Sequence, residues 1–379
     1  MTEVSFRTQG ALFKSSLREA NERLILNTVR ARPGISRLAL RETTGLSTTA
    51  ITVIVNRLRA SGFLVEDKAG SARAELGRRP TSLRLLPDAR FAIGVEVTPT
   101  AAYGVLADLA GDILEERTAE PEPAAVEALV RSLTRDGVLG AGVSIPGTID
   151  RASGRVLGAP NLPRWHGATI DFDAGFPVTC ENNAKLSAIA TRWFGDPLSD
   201  FVFVTLRAGI GTGIIAGGQL IAGAQSRAGE FGHMTIHPEG RRCLCGNTGC
   251  WEEYASDRAL CRVYLERSGN AADALAITAL ALEGGAAALE AFGAIAGELA
   301  LGLVNIIVAL NPAVIFLDHF GVIGWKLIES RVWDVLRQRV PGHLLEGVRI
   351  EPAKQGEHAA RSGAVALILS RFFYANMVY

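Results

Sequence analysis

Apolar residues at Leu17, Ala20, Leu24, Ile25 and Val29 recur at helical spacing. That pattern predicts a helix over residues 17–30, brought to an end by Pro33 and Gly34. A short second helix is expected over 37–43, with Ser36 as its N-cap and Gly45 in the turn beyond it. Ser47 then caps a third helix running to about Ser61. Its apolar stripe is Ala50, Ile51, Ile54, Val55 and Leu58; Thr48, Thr52 and Asn56 lie opposite, with Thr49 and Arg57 beside them. Helix, short helix, glycine turn and helix is the helix-turn-helix order, in which the last helix enters the major groove. Beyond Gly62 the period changes. Residues 63–66 read as a strand, 67–77 as a polar loop containing Gly77, and 82–86 as a return strand after Arg78, Arg79 and Pro80. The hairpin makes the unit a winged helix-turn-helix, with the arginine pair at the wing.

From residue 89 onward strand-like and helix-like stretches alternate. Strands are expected at 91–97, 103–108 and 112–117, a helix at 124–134, and an apolar strand at 138–145 that stops at Pro146 and Gly147. A hairpin (148–150 with 156–157), a strand (178–181) and a helix (184–194) follow. Strands at 201–207 and 213–216, helices beyond Glu252 and a last helix at 358–373 complete the order. Two mixed α/β lobes around a cleft fit it. The expected division is a head over 1–88 and a body over 89–379. Within the body the smaller lobe takes about 89–184 and 358–375, and the larger lobe about 185–357.

Composition adds two constraints. With 379 residues, 48% hydrophobic and 21% charged, the chain can build two or three cores. No uninterrupted apolar run of about eighteen residues occurs, so no membrane span is expected. The first ten residues lack the apolar centre of a signal peptide, which makes the cytoplasm the expected compartment. The charge is unevenly placed. Residues 1–90 hold 16 Lys/Arg against 8 Asp/Glu, a balance of +8, so the remainder of this net-neutral chain carries −8. A basic head on an acidic body points to a polyanion at one end only.

The densest chemistry lies in GEFGHMTIHPEGRRCLCGNTGCWE, residues 229–252. Cys243, Cys245 and Cys250, three of the chain's five cysteines, stand as C-x-C-x4-C. His233 lies shortly upstream. Three thiolates and an imidazole suit tetrahedral zinc in a closed, structural site, and clustered cysteines in a reducing compartment favour metal over disulfide. His237 is the rival fourth ligand, made weaker by its Pro238 neighbour. Gly246 and Gly249 permit the tight fold that such convergence needs. Cys180 and Cys261 stand alone as small side chains with no assigned role.

G-E-F-G-H followed by C-x-C-G-x-x-G-C-x-E resembles the signature of the ROK family of repressors and sugar kinases, and the likeness extends over nearly the whole chain. It implies an α/β body of the two-lobed actin-like ATPase fold behind a winged helix-turn-helix, with the last helix packed back on the first lobe. It also implies that Glu230, His233 and Glu252 line a sugar pocket, with Asn161, Asn182 and Asn183 adding hydrogen-bond donors and acceptors. G-R-R-P resembles the wing of the family's repressors. The phosphate-binding elements of its kinases are altered here. The first turn, usually D-x-G-G-T, reads Glu96-Val97-Thr98-Pro99-Thr100. Arg207 and Ala208 replace a Gly-Thr pair in the second turn, and Asp318-His319 replace a Gly-Gly pair beyond Asn311-Pro312. Asn183 stands where the kinases carry the catalytic aspartate, and an amide cannot act as a general base at neutral pH.

The expectation is therefore a non-enzymatic, sugar- or sugar-phosphate-responsive regulator, acting as a homodimer or homotetramer on operator DNA; the alternative is a hexose kinase with an accessory head. Ser47, Thr48, Thr49, Thr52, Asn56, Arg57, Arg78 and Arg79 are its candidate DNA-facing residues. Changing Arg79→Ala is expected to weaken duplex binding roughly tenfold and to leave sugar affinity unchanged. Anisotropy titrations check this, and equal duplex affinity would remove the wing from the reading.

Overall fold

The computed structural model describes residues 13–68, 81–195, 198–318, 324–354 and 356–374. Arg78, Arg79 and His319 lie outside them.

The head opens with α1 (Phe13–Ala31), α2 (Arg37–Thr44) and α3 (Thr48–Ala60). The Ser36 hydroxyl accepts from Ala39 N at 3.1 Å and the Ser47 hydroxyl from Ala50 N at 3.2 Å, each satisfying an orphan donor at a helix start. Gly45 takes the left-handed conformation, φ 70°, that closes α2 and turns the chain into α3. β1 (Leu64–Lys68) and β2 (Thr81–Leu85) pair antiparallel as the hairpin. Ile25, Val29, Leu40, Ile51, Val55, Leu58, Leu64 and Leu83 fill the core between them.

Two five-stranded sheets follow, built to one plan. The first orders β5 (Ile113–Ala119), β4 (Ala102–Asp108), β3 (Phe91–Val97), β6 (Val138–Ile145) and β9 (Val178–Asn182). Its β5, β4 and β3 are antiparallel neighbours, whereas β3, β6 and β9 run parallel. α4 (Pro123–Ser132) covers one face, and the hairpin of β7 (Thr148–Asp150) and β8 (Arg155–Gly158) lies at the rim. The second sheet repeats the scheme as β12 (Gln219–Leu220), β11 (Ile210–Ala216), β10 (Phe201–Leu206), β13 (Val314–Leu317) and β14 (Arg349–Pro352). Its outer face carries α6 (Glu252–Ala255), α7 (Asp257–Ser268), α8 (Ala274–Leu282), α9 (Ala286–Leu310), α10 (Trp325–Arg339) and α11 (Gly342–Leu345). By length and composition α9 could cross a membrane. In this fold Phe292, Ile295, Leu299, Leu303 and Ile306 bury it in the core beneath that sheet.

Between the sheets run α5 (Asn183–Phe194) and α12 (Ala359–Phe373). α12 lies on β3 and β6 of the first sheet and also against α5, which packs on β10 and β11 of the second. It therefore packs on the first lobe, as the family likeness implied, and bridges to the second sheet as well. Glycines permit this closeness. A Cβ at Gly142 would strike the Ala364 backbone, at Gly213 the Ala184 carbonyl, and at Gly363 the Leu186 carbonyl.

The head is joined to this layer rather than tethered beside it. Its core is continuous with Val365, Ile368, Leu369 and Phe373 of α12. Phe63 meets Phe372 at 5.5 Å between ring centroids, and the Arg30 guanidinium lies over Trp193 of α5 at 4.0 Å and over Phe373 at 5.4 Å. Arg23 donates to the Arg371 carbonyl at 3.3 Å. Gly363→Ala is expected to force α12 and α5 apart and destabilise the protein by about 1–3 kcal/mol. Chemical denaturation measures this, and an unchanged midpoint would contradict the tight packing.

Candidate sugar cavity, metal-ligand cluster and DNA-facing helix

A cavity of about 760 Å³ opens between the two sheets. Asn161, Asn182, Asn183, Glu230, His233 and Glu252, the six sugar-facing candidates, all line it, together with Glu96, Arg207, Gly209 and Arg258. Glu96 reaches it because the even positions of β3, Ala92 and Gly94, face α12, and Glu96 ends that row. Asn182 and Asn183 arrive at the start of α5. Asn182 also caps that helix, accepting from Ala184 N at 2.9 Å and Lys185 N at 3.3 Å while donating to the Gly147 carbonyl at 2.9 Å. Lys185, one turn on, is buried, pairs with Glu181 at 3.9 Å and donates to the Ser226 carbonyl in the loop that leads to Glu230.

Beside the cavity, ligand atoms of His233, Cys243, Cys245 and Cys250 all lie within 4.8 Å of one another. Cys245 and Cys250 sulfurs are 3.7 Å apart, and Cys243 Sγ lies 3.8 Å from His233 Nδ1. Tetrahedral geometry with zinc–sulfur bonds near 2.3 Å requires ligand separations of about 3.6–3.8 Å, so these two separations match such an ion and the donor chemistry suits it. His237 is elsewhere, with Nε2 at 2.7 Å from Glu298 and its ring against Tyr254. Between the two candidate histidines, the geometry brings His233 to the sulfurs. Gly249, at φ 76°, is required because a Cβ there would strike the His237 carbonyl. Without a cation, burial holds the Cys243 and Cys250 thiols above their ordinary range. Burial likewise pushes the Cys180 thiol, far from this cluster, up to about 12. Glu252 links cluster and cavity: its Oε1 accepts from Cys243 Sγ at 2.9 Å and lies 3.6 Å from His233 Nδ1 and 3.8 Å from Arg258. Arg258 itself pairs with the buried Glu253 at 2.7 Å.

The two phosphate-type turns have other partners. In the first, Pro99 has no N–H, and the Thr98 hydroxyl accepts from both Thr100 N (3.4 Å) and Ala101 N (3.1 Å). In the second, Arg207 pairs with the buried Asp318 at 3.4 Å, and Asp318 also accepts from Leu206 N at 2.8 Å. A Cβ on Gly209 would come within 2.5 Å of Glu252 Oε2, so a carboxylate occupies the ground this backbone turn faces. The Thr98 hydroxyl and the Arg207–Asp318 pair escape sequence reasoning, since only the folded turns reveal their partners.

On α3, Thr48, Thr49, Thr52 and Asn56 are exposed and Arg57 half-buried. Ser47 serves as the N-cap. Asn56 Oδ1 accepts from Arg37 at 3.0 Å, and Arg57 pairs with Glu22 of α1.

A model of the ROK family matches residues 92–371. The chain belongs to the ROK family. Residues 18–65 also match a winged helix-turn-helix DNA-binding model. A putative xylose repressor of Caldicellulosiruptor sp. (strain Rt8B.4) is 29% identical over 387 aligned positions, covering 93% of this chain and 96% of that one. A glucokinase of Streptomyces coelicolor is 34% identical, but over 207 residues covering only 51% of this chain and 64% of its own. The crystal structure of a ROK family transcriptional regulator, a homologue of an E. coli protein, superposes with a TM-score of 0.80 at 20% identity, covering 94% of this ROK chain and 97% of that one. That likeness extends the shared fold through head and body together.

Changing Cys245→Ser is expected to lower bound metal from about one ion per chain to near zero, because a structural tetrahedral site is lost with one of its four ligands. Elemental analysis of purified protein measures it, and unchanged metal content would contradict the assignment.

Proposed function

We propose that this ROK protein is a cytoplasmic, sugar-responsive repressor that binds operator DNA through its head and a sugar in its cavity, and that it transfers no phosphate. The observation that carries the second half is the state of the first turn. Its donors are absent at Pro99 or taken up by Thr98, so no backbone N–H remains there to cradle a phosphate. Arg207 held by Asp318, the Glu252 carboxylate against Gly209 and the amide of Asn183 support the same reading. The relatives that span the whole chain carry repressor names, while the glucokinase likeness is partial.

The cluster of His233, Cys243, Cys245 and Cys250 holds structural zinc in this reading. Bound, the ion supplies a fixed positive centre that pins the loop. The chain's own residues do the recognising: Glu230 and Glu252 accept from sugar hydroxyls, and Asn161, Asn182 and Asn183 both donate and accept. Carboxylates at the cavity favour an uncharged sugar over its phosphate ester, and the relative's name makes xylose the first candidate. The head spans about residues 1–88 and reads DNA through Ser47, Thr48, Thr49, Thr52, Asn56 and Arg57, with Arg78 and Arg79 on the wing. Two copies related by symmetry would meet two half-sites.

α5 supplies the coupling. Its N-terminal end carries Asn182 and Asn183 at the cavity, and about 15 Å further along Trp193 supports Arg30 of the head. Sugar drawn between the lobes shifts α5 and α12 together, and with them the head.

With purified full-length protein, xylose or another sugar of a monosaccharide panel is expected to raise the thermal midpoint, as any ligand of the native state does. ATP should not be consumed when that sugar is added. ADP release at a steady rate would overturn the reading and favour the kinase alternative.

A further inference from the structure

The pole of α3 opposite the head core carries an apolar side chain that the fold does not use. Ile51, Ile54, Val55 and Leu58 point inward and are buried. At about 100° per residue, Val53 stands on the outward face with Thr49 and Asn56, and it is 51% exposed. A β-branched apolar residue there gains nothing from packing and is a poorer helix former than alanine.

The polar groups around it are largely engaged. Arg57 pairs with Glu22. Arg37 donates to both Glu66 oxygens, at 2.8 and 2.7 Å, and to Asn56 Oδ1; Arg59 pairs with Glu66 at 3.0 Å. Thr52 gives its hydroxyl proton to the Thr48 carbonyl at 2.8 Å. Guanine is read by a bidentate arginine or lysine, and adenine by an asparagine offering both its oxygen and its amide hydrogens. On the described part of this face the arginines are held by acids and the asparagine oxygen already accepts. Besides the exposed Thr48 and Thr49 hydroxyls, methyl groups remain. The complementary feature in the major groove is the thymine C5 methyl.

We propose that Val53 reads a thymine methyl, so that each half-site carries thymine opposite the centre of α3. The inference rests on the DNA-binding reading above. It is tested by enriching duplexes from a random-sequence pool on the full-length protein. Each thymine of the enriched duplex is then replaced in turn by deoxyuridine, which removes only the methyl. Affinities are measured for wild type and Val53→Ala. One thymine per half-site should cost the wild type about fourfold on replacement, the effect of one buried methyl. Val53→Ala should lose about the same on the thymine duplex and be indifferent to deoxyuridine at that position. Unchanged affinity of Val53→Ala for the thymine duplex overturns the proposal, as does an equal deoxyuridine penalty in variant and wild type. Val53 is exposed and alanine is the better helix former, so the variant head folds. Failure to enrich any duplex contradicts the DNA-binding reading itself, and this assignment with it.

Discussion

Close approach of two helices without intervening side chains governs this molecule. α5 and α12 lie between two sheets, and glycines at 142, 213 and 363 remove the Cβ atoms that would hold the layers apart. Interiors packed this closely cannot slide by fractions of an ångström; they move as blocks or take up a second arrangement. The same two helices end where the head begins, at Trp193 and Phe372. A cavity at one end of α5 and a DNA-facing unit at the other are thereby attached to one stiff element.

The chemistry at the cavity follows from what surrounds it. A loop gathered by four convergent donors sets Glu252 within reach of both the cavity and the second turn. A carboxylate so placed can accept from a hydroxyl-rich ligand and repels a polyanion. The first turn bonds its own amides through Thr98. In the proposed reading, loss of phosphate handling is spread over several local bonds, each of which satisfies a group that a nucleotide would otherwise need.

Much of this was legible in the sequence where the determining interactions are local. β3 and β6 occur as residues 91–97 and 138–145 because apolar runs there stop at a Thr98-Pro99 or Pro146-Gly147 turn. Ser36, Gly45 and Ser47 marked the helix ends of the head through bonds spanning three or four residues. The convergence of His233 with the three cysteines was readable because three of the four residues lie within one short loop. The sheet order was not, since parallel neighbours such as β10 and β13 are separated by a long helical excursion. α9 was seen only as helical sequence, because an alanine- and leucine-rich segment apolar on most sides gives no direction for its buried face. Docking of the head escaped notice because Arg30, Trp193 and Phe373 meet only in the folded chain and none belongs to a recognisable motif.

Coupling between sugar and DNA through α5 is the claim on which the functional account stands, and a thermodynamic cycle tests it most directly. Duplex affinity is measured with and without saturating sugar, in the wild type and in Trp193→Leu, which removes the aromatic face beneath Arg30. The account predicts a sugar effect of roughly 5–150-fold in the wild type that collapses towards unity in the variant, while each ligand alone still binds. An undiminished sugar effect in Trp193→Leu would contradict it.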